Sequence, residues 1–147
     1  LFIKAKRIRS IEEKKEQKEK EQIDIEFIGL INYAAIGLIL LIEKPEYEAE
    51  LSKEQVEKWY SKHVNEAYAL MVKKNHDYGE VWREMYISSF TDLILSKLLR
   101  IRQIIENKGN VSVSEGIEAG LYDIINYSVF ALIKIKDRNG KAYYMDI

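Results

Sequence analysis

The sequence predicts an all-α chain, an antiparallel helical bundle built from a duplicated helix pair whose first copy is incomplete. Three observations predict it. The 147 residues contain one proline and seven glycines, too little punctuation for a chain of many short elements. The stretch SEGIEAGLYDIINYSVFALIK, Ser114 to Lys134, becomes apolar on nearly every side after Leu121, the mark of a buried helix. The chain also repeats itself. Phe27 to Ile39 reads FIGLINYAAIGLI and Leu121 to Ile133 reads LYDIINYSVFALI, which sets Asn32-Tyr33 on Asn126-Tyr127. Upstream, KAKRIRSI from Lys4 to Ile11 falls on KLLRIRQI from Lys97 to Ile104. The organisation expected is a degenerate, N-terminally truncated first repeat of two helices over 1–44, a complete second repeat over 45–136, and a tail over 137–147. Leu1-Phe2-Ile3 opens inside a helical pattern without an initiating Met, so the natural protein is expected to extend upstream.

Each element follows from local signals. Leu1 to about Lys18 reads as a helix, apolar at Ile3, Ile8 and Ile11, and Glu12 to Gln22 is a mixed-charge run that reads as a solvated helix end and loop. Ile23 to Ile42 is the second helix, broken at Glu43-Lys44-Pro45-Glu46 because proline cannot continue it. Ser52-Lys53-Glu54-Gln55 is a capping box that starts a helix running to about Lys74. His63 lies on its apolar-leaning face and reads as a packed or surface histidine rather than a metal ligand. Asn75 to Gly79 ends that helix, and Trp82 and Met85 fall in a short irregular or helical piece. Ser89 with Asp92 resembles a second capping box, opening a helix that Asn107 and Lys108-Gly109 close. Asn139-Gly140 places a turn in the tail.

Composition narrows the function classes. The net charge of −1 gives no basic field for nucleic acid. Cysteine is absent, which excludes disulfides and thiolate metal sites and fits a cytoplasmic setting. No signal peptide is visible, and the apolar run Phe27 to Ile42 is interrupted by Asn32 and Tyr33 and is short for a bilayer, so no membrane partner is expected. The apolar surface of the inner helices exceeds what an incomplete first copy can cover. A homodimer, or contact with a missing upstream segment, is therefore expected.

The chemistry concentrates on the last helices. Asp123, Asn126 and Tyr127 share one face inside an apolar run, where an unpaired carboxylate is costly. Asn32 and Asn126 stand in both copies and read as structural, whereas Asp123 corresponds to Gly29. Three groups can converge: Lys74, Asp77, Tyr78 and Gly79; Asp92, Lys97 and Arg100; Glu115, Glu118 and Asp123. Carboxylates from several bundle helices can hold Mg²⁺, and nearby Lys and Arg can take phosphate oxygens. Against that, Asp92 also serves as a helix cap, and Lys97 and Arg100 also serve as bundle-edge cations. Asp123 is expected within roughly 4–8 Å of Lys97 or Arg100, where an opposite charge stabilises its ionised form.

The runs KKNHDYGEVW, TDLILSKLLRI and SEGIEAGLYDIINY resemble the nucleotide modification associated domain type 1 family, over Lys73 to Lys134 and, in degraded form, Leu1 to Ile42. The last helix is more loosely similar to the all-α nucleoside triphosphate pyrophosphohydrolases, the MazG-like and dimeric dUTPase-like group. The resemblance implies a helical domain that handles a nucleotide or deoxynucleotide with Mg²⁺. By position it implies Glu115 and Asp123 as catalytic carboxylates and metal ligands; Asp92 joins them as a third ligand only from the convergence of bundle carboxylates, against its reading as a helix cap. It places Lys74, Asp77, Tyr78, Lys97, Arg100, Asn126 and Tyr127 on substrate. Ser96 and Ala119 stand where the family carries further acids, which weakens the case for hydrolysis. Two readings follow, a Mg²⁺-dependent pyrophosphohydrolase and a binding or scaffold protein that kept the bundle without catalysis. The first copy, with Ile3, Ile25 and Gly29 at the acidic positions, reads as a partner half without a metal site.

Overall fold

The computed structural model describes residues 1–14, 23–107 and 113–137. Among the described residues stand five α-helices and no strand. They are α1 (Phe2–Lys14), α2 (Ile23–Leu38), α3 (Lys53–Tyr78), α4 (Ile87–Glu106) and α5 (Val113–Asp137). A π turn, Ile39–Glu43, continues α2, and a 3₁₀ turn, Val81–Glu84, precedes α4. The chain is all-α, as its sequence predicts.

α5 is the hub: it packs on α4, α2 and α3, while α1 lies against α2 and α4. The core forms where their apolar stripes meet. Phe27, Leu30, Ala34 and Leu38 of α2, Phe90 and Ile94 of α4, Ile124 of α5, and Ala5 and Ile8 of α1 are wholly buried. Two glycines set the depth of the α4–α5 contact. A Cβ on Gly116 would stand 2.8 Å from Ile104 Cδ1, and one on Gly120 would stand 2.9 Å from Ile101 Cδ1. A Cβ at either place would push the isoleucine side chain aside; with glycine the antiparallel helices close tightly and bring Lys97, one turn from Ile101, against Asp123.

The helix ends show which local signals hold. Ser52 Oγ accepts from the Gln55 N–H at 3.1 Å, the expected cap. α3 runs four residues beyond the expected Lys74 to Tyr78. Nothing in Asn75-His76-Asp77 is a steric breaker, and the helix stops at Gly79, whose φ of +72° suits glycine and whose N–H reaches the Asn75 carbonyl. α4 begins at Ile87, ahead of the expected Ser89 cap, with Tyr86 extended before it and no side-chain cap. Lys44, at φ +48°, turns the chain out of the π turn just ahead of Pro45. The expected end of α1 and its charged run over 15–22, the Lys108-Gly109 stop and the Asn139-Gly140 turn lie outside the described residues.

One expectation needs correction. The helix Ile23–Glu43, 21 residues with an 18-residue window of mean hydropathy 2.2, is long and apolar enough by length and composition to cross a membrane. The sequence reading counted only Phe27 to Ile42. Here the inner face of the helix is taken up by the bundle core, and Glu26 in its first turn is buried in ion pairs. Its outer face leaves Ile25, Ile28, Tyr33, Ile36 and Leu40 exposed.

Both asparagines that the sequence aligns bond to α3. Tyr60 Oη donates to Asn32 Oδ1 at 2.8 Å, and Asn126 Nδ2 donates to the Ala67 carbonyl at 2.9 Å.

Candidate functional site

Asp123 is the meeting point of three helices. From its place on α5 it receives Lys74 Nζ of α3 on Oδ1 at 2.7 Å and Lys97 Nζ of α4 on Oδ2 at 2.9 Å. The carboxylate is 14% exposed, while the Lys97 and Lys74 side chains are 36% and 56% exposed. The site is thus a half-covered acid with its cations at the rim. The hydrogen bond to Asp123 holds the Lys97 ammonium above the usual lysine range, against the opposing effect of burial. Tyr127 packs its ring near Phe90, with centroids 6.4 Å apart. The contact with Lys97 is direct, closer than the sequence reading required.

The other candidates separate. Arg100 lies one turn beyond Lys97, exposed, with no ion-pair or hydrogen-bond partner among the described residues. Asp77 and Tyr78 are exposed at the C-terminal end of α3, one turn from Lys74. Asn126 is turned toward the α3 backbone. Asp92 is not brought to Asp123: it is bound by Arg9 of α1, which also reaches the Ser88 carbonyl at 3.3 Å and Glu12 at 3.1 Å. Thr91 Oγ1 donates to Glu12 at 2.6 Å, so Asp92 belongs to an α1–α4 clasp. Burial raises the Glu12 carboxyl above its ordinary range in spite of Thr91 and Arg9. Glu115 lies in α5, but its side chain is outside the described residues.

Among the described residues, the donor set around Asp123 does not fit Mg²⁺. Among the described residues no group of three His, Asp or Glu side chains could hold a metal ion. Both oxygens of Asp123 are engaged by ammonium groups, whose charge opposes a divalent cation at the same place.

The first helix pair, which has Gly29 where the second has Asp123, carries an acid of its own for Lys4 and Arg7. Glu26, one turn earlier on α2 and 5% exposed, takes Lys4 at 3.0 Å and Arg7 at 3.0 Å. The Lys4 stem lies across Gly29, 3.4 Å from where a Cβ would stand. The sequence held the signal: two cations on one face of α1 need a counter-charge, and Glu26 is three residues from Gly29.

A second polar cluster was not foreseen. His63 is wholly buried, with Nε2 3.1 Å from Glu43 Oε1, and Nδ1 3.4 Å from both Tyr122 Oη and Glu66 Oε2. Lys62 donates to Glu43 at 2.6 Å and Tyr122 donates to Glu66. Lys62 holds Glu43 below the usual carboxylate range, while burial and then Glu66 push the Tyr122 phenol up. The i, i+3 pair His63/Glu66 was legible on α3; that α2 and α5 close over it was not.

A family model described as nucleotide modification associated domain 1 matches residues 1–41 and 74–135. These segments carry α1, all of α2, the C-terminal turn of α3, α4 and nearly all of α5, including Lys74, Lys97 and Asp123. Comparison with curated proteins and with solved structures returns no match. With most of its length matched, the chain belongs to the nucleotide modification associated domain 1 family.

Proposed function

We propose that the chain binds a nucleotide or deoxynucleotide through its phosphates at Lys74, Lys97 and Arg100. The observation that carries this reading is the convergence of Lys74 and Lys97 on Asp123 from different helices. An ammonium group has three donors, and each lysine spends one on Asp123, so each keeps donors for phosphate oxygens. Asp123 acts here as a positioning residue. It holds two cations close together that would otherwise repel, and the cluster keeps a positive balance. Arg100, unpartnered among the described residues and one turn away, adds a fork suited to a second phosphate. Asp77, Tyr78 and Tyr127 sit at the border of the same site. Membership of the family supports a nucleotide as the ligand.

Hydrolysis is the finer reading: a MazG-like pyrophosphohydrolase with Glu115 and Asp123 as catalytic carboxylates and Mg²⁺ held with Asp92. The placing of Asp92 on Arg9 and of two lysines on Asp123 weighs against it. The form proposed here is a binding protein of the cytoplasm, paired as a homodimer through the face of α2 that leaves Ile25, Ile28, Ile36 and Leu40 exposed.

Calorimetric titration with a panel of nucleoside mono-, di- and triphosphates, with and without Mg²⁺, tests the proposal alongside an assay for released pyrophosphate. The expected result is saturable binding without Mg²⁺ that Lys74→Met and Lys97→Met each weaken tenfold or more. Binding unchanged in both variants refutes it. Pyrophosphate release that needs Mg²⁺ and is lost in Glu115→Gln would establish the hydrolytic reading instead.

A further inference from the structure

Between α3, the 3₁₀ turn and α5 lies a cavity of about 340 Å³ that the cationic site leaves unused. Its walls are mostly apolar, with Tyr68, Val129 and Phe130 among them; Asn75, Trp82 and Asn126 are hydrogen-bonding groups of the wall, and Glu80 and Arg83 stand there too. A volume of this size is at the lower end of small-molecule sites.

The wall is built for a flat ring. Trp82 stacks on Phe130 with centroids 4.5 Å apart and planes 6° from parallel. Its indole is also covered by the planar guanidinium of Arg83, 4.4 Å from the ring centroid. Arg83 is more than half exposed, pairs with its neighbour Glu80 and the indole, and feels Asp137 besides; such exposed contacts are weak, so it can swing aside at little cost.

One polar group of the wall is buried without a partner, and a second has an acceptor to offer. Trp82 is 8% exposed, and its indole N–H has no acceptor among the described residues. Asn126 donates its amide nitrogen to the Ala67 carbonyl, while its amide oxygen receives no hydrogen bond from the described residues. A buried donor without a partner calls for an explanation, and a ligand acceptor is one. A ring that carries both a carbonyl or ring-nitrogen acceptor and an amino or imino donor satisfies Trp82 and Asn126 together. Nucleobases have that edge and that flatness.

We infer that this cavity takes the base of the nucleotide, in a stack on the Trp82 face that Arg83 covers. The inference rests on the phosphate reading above, and the chain joins the two places. Asn75 of the cavity wall follows Lys74, and Asn126 is one helical turn from Asp123.

The test uses the full chain carrying Trp59→Phe, so that Trp82 is the sole tryptophan of the two present. Nucleoside triphosphates and inorganic tripolyphosphate are titrated by calorimetry and by Trp82 fluorescence. Triphosphates should quench Trp82 saturably, whereas tripolyphosphate should bind without quenching. Trp82→Phe, which keeps a ring against Phe130, and Val129→Phe, which fills the cavity, should each weaken nucleoside triphosphates at least tenfold and leave tripolyphosphate unchanged. Nucleoside triphosphates that bind with full affinity to both variants, without quenching, overturn the base site and leave the phosphate site standing. Quenching by triphosphates with no effect of Lys74→Met or Lys97→Met overturns the phosphate reading and keeps the base site. No binding of either ligand overturns both.

Discussion

Replacing Asp123 by Asn separates a charge that positions lysines from one that holds a metal or the fold. Asn is nearly isosteric and keeps one carbonyl acceptor, so one of the two lysine hydrogen bonds survives in neutral form. The other is lost, together with the charge. A fully buried pair broken this way costs about 3–5 kcal/mol, and an exposed pair about 0–1 kcal/mol. Asp123 itself is 14% exposed, but Lys97 and Lys74 are 36% and 56% exposed and can each turn to water. The cost should therefore lie near the exposed limit, about 1 kcal/mol and no more than about 2, a fall in Tm of roughly 3–6 °C for a chain of this size. Most of it should vanish in about 1 M salt, where the Debye length is about 3 Å. Chemical denaturation at low and high salt measures the first quantity. Calorimetry without divalent cations measures the second: Asp123→Asn should bind a triphosphate about as well as the parent, because the lost positioning is offset by one more net positive charge. A salt-independent loss above about 3 kcal/mol would make Asp123 a structural keystone and refute the positioning role. Unchanged stability with loss of binding only when Mg²⁺ is present would make it a metal ligand.

Two further outcomes test other parts of the molecule. Burial raises the Glu12 carboxyl, so the folded state binds its proton more readily than the unfolded chain; the gain is present at low pH and lost as pH rises through the folded value. Relative to Glu12→Gln, the parent should therefore gain stability as pH falls from neutrality toward 4, measured by urea denaturation across that range, and a parallel pair of curves would exclude the effect. Ile36→Glu, on the exposed face of α2, should convert a dimer to monomer in sedimentation with the helical circular dichroism retained, whereas a parent that already sediments as a monomer would remove the proposed pairing.

Much of the helical frame is written in short-range signals. Ser52 with Gln55, Gly79 and Pro45 are each enough to start or stop a helix by local backbone chemistry. The start of α4 misled for the opposite reason. Ser89 and Asp92 have the spacing of a cap, but Asp92 answers to Arg9, which only the folded bundle brings near. The same limit governs the site. Lys97 was legible because a repeated Lys-x-x-Arg places it opposite the last helix, and Lys74 came from a motif, not from any spacing that ties α3 to α5. The burial of His63 depends on the π turn at the end of α2, whose Glu43 the sequence offers only as a residue near a proline.

Glu26 and Asp123 each gather two cations, but they differ in what those cations connect. Lys4 and Arg7 both belong to α1, so Glu26 seals one helix to its neighbour and the account is closed within the pair. Asp123 draws on α3 and α4 at once, and Lys74 is the only ion pair described between α3 and Asp123's helix outside the His63 cluster. Lys74 is therefore a polar tie near the C-terminal end of α3, while Asn126 on Ala67 and His63 among its acids hold the middle. The knot at Asp123 spans three helices where the knot at Glu26 spans two, so a charge arriving at its rim meets three elements of the bundle at once.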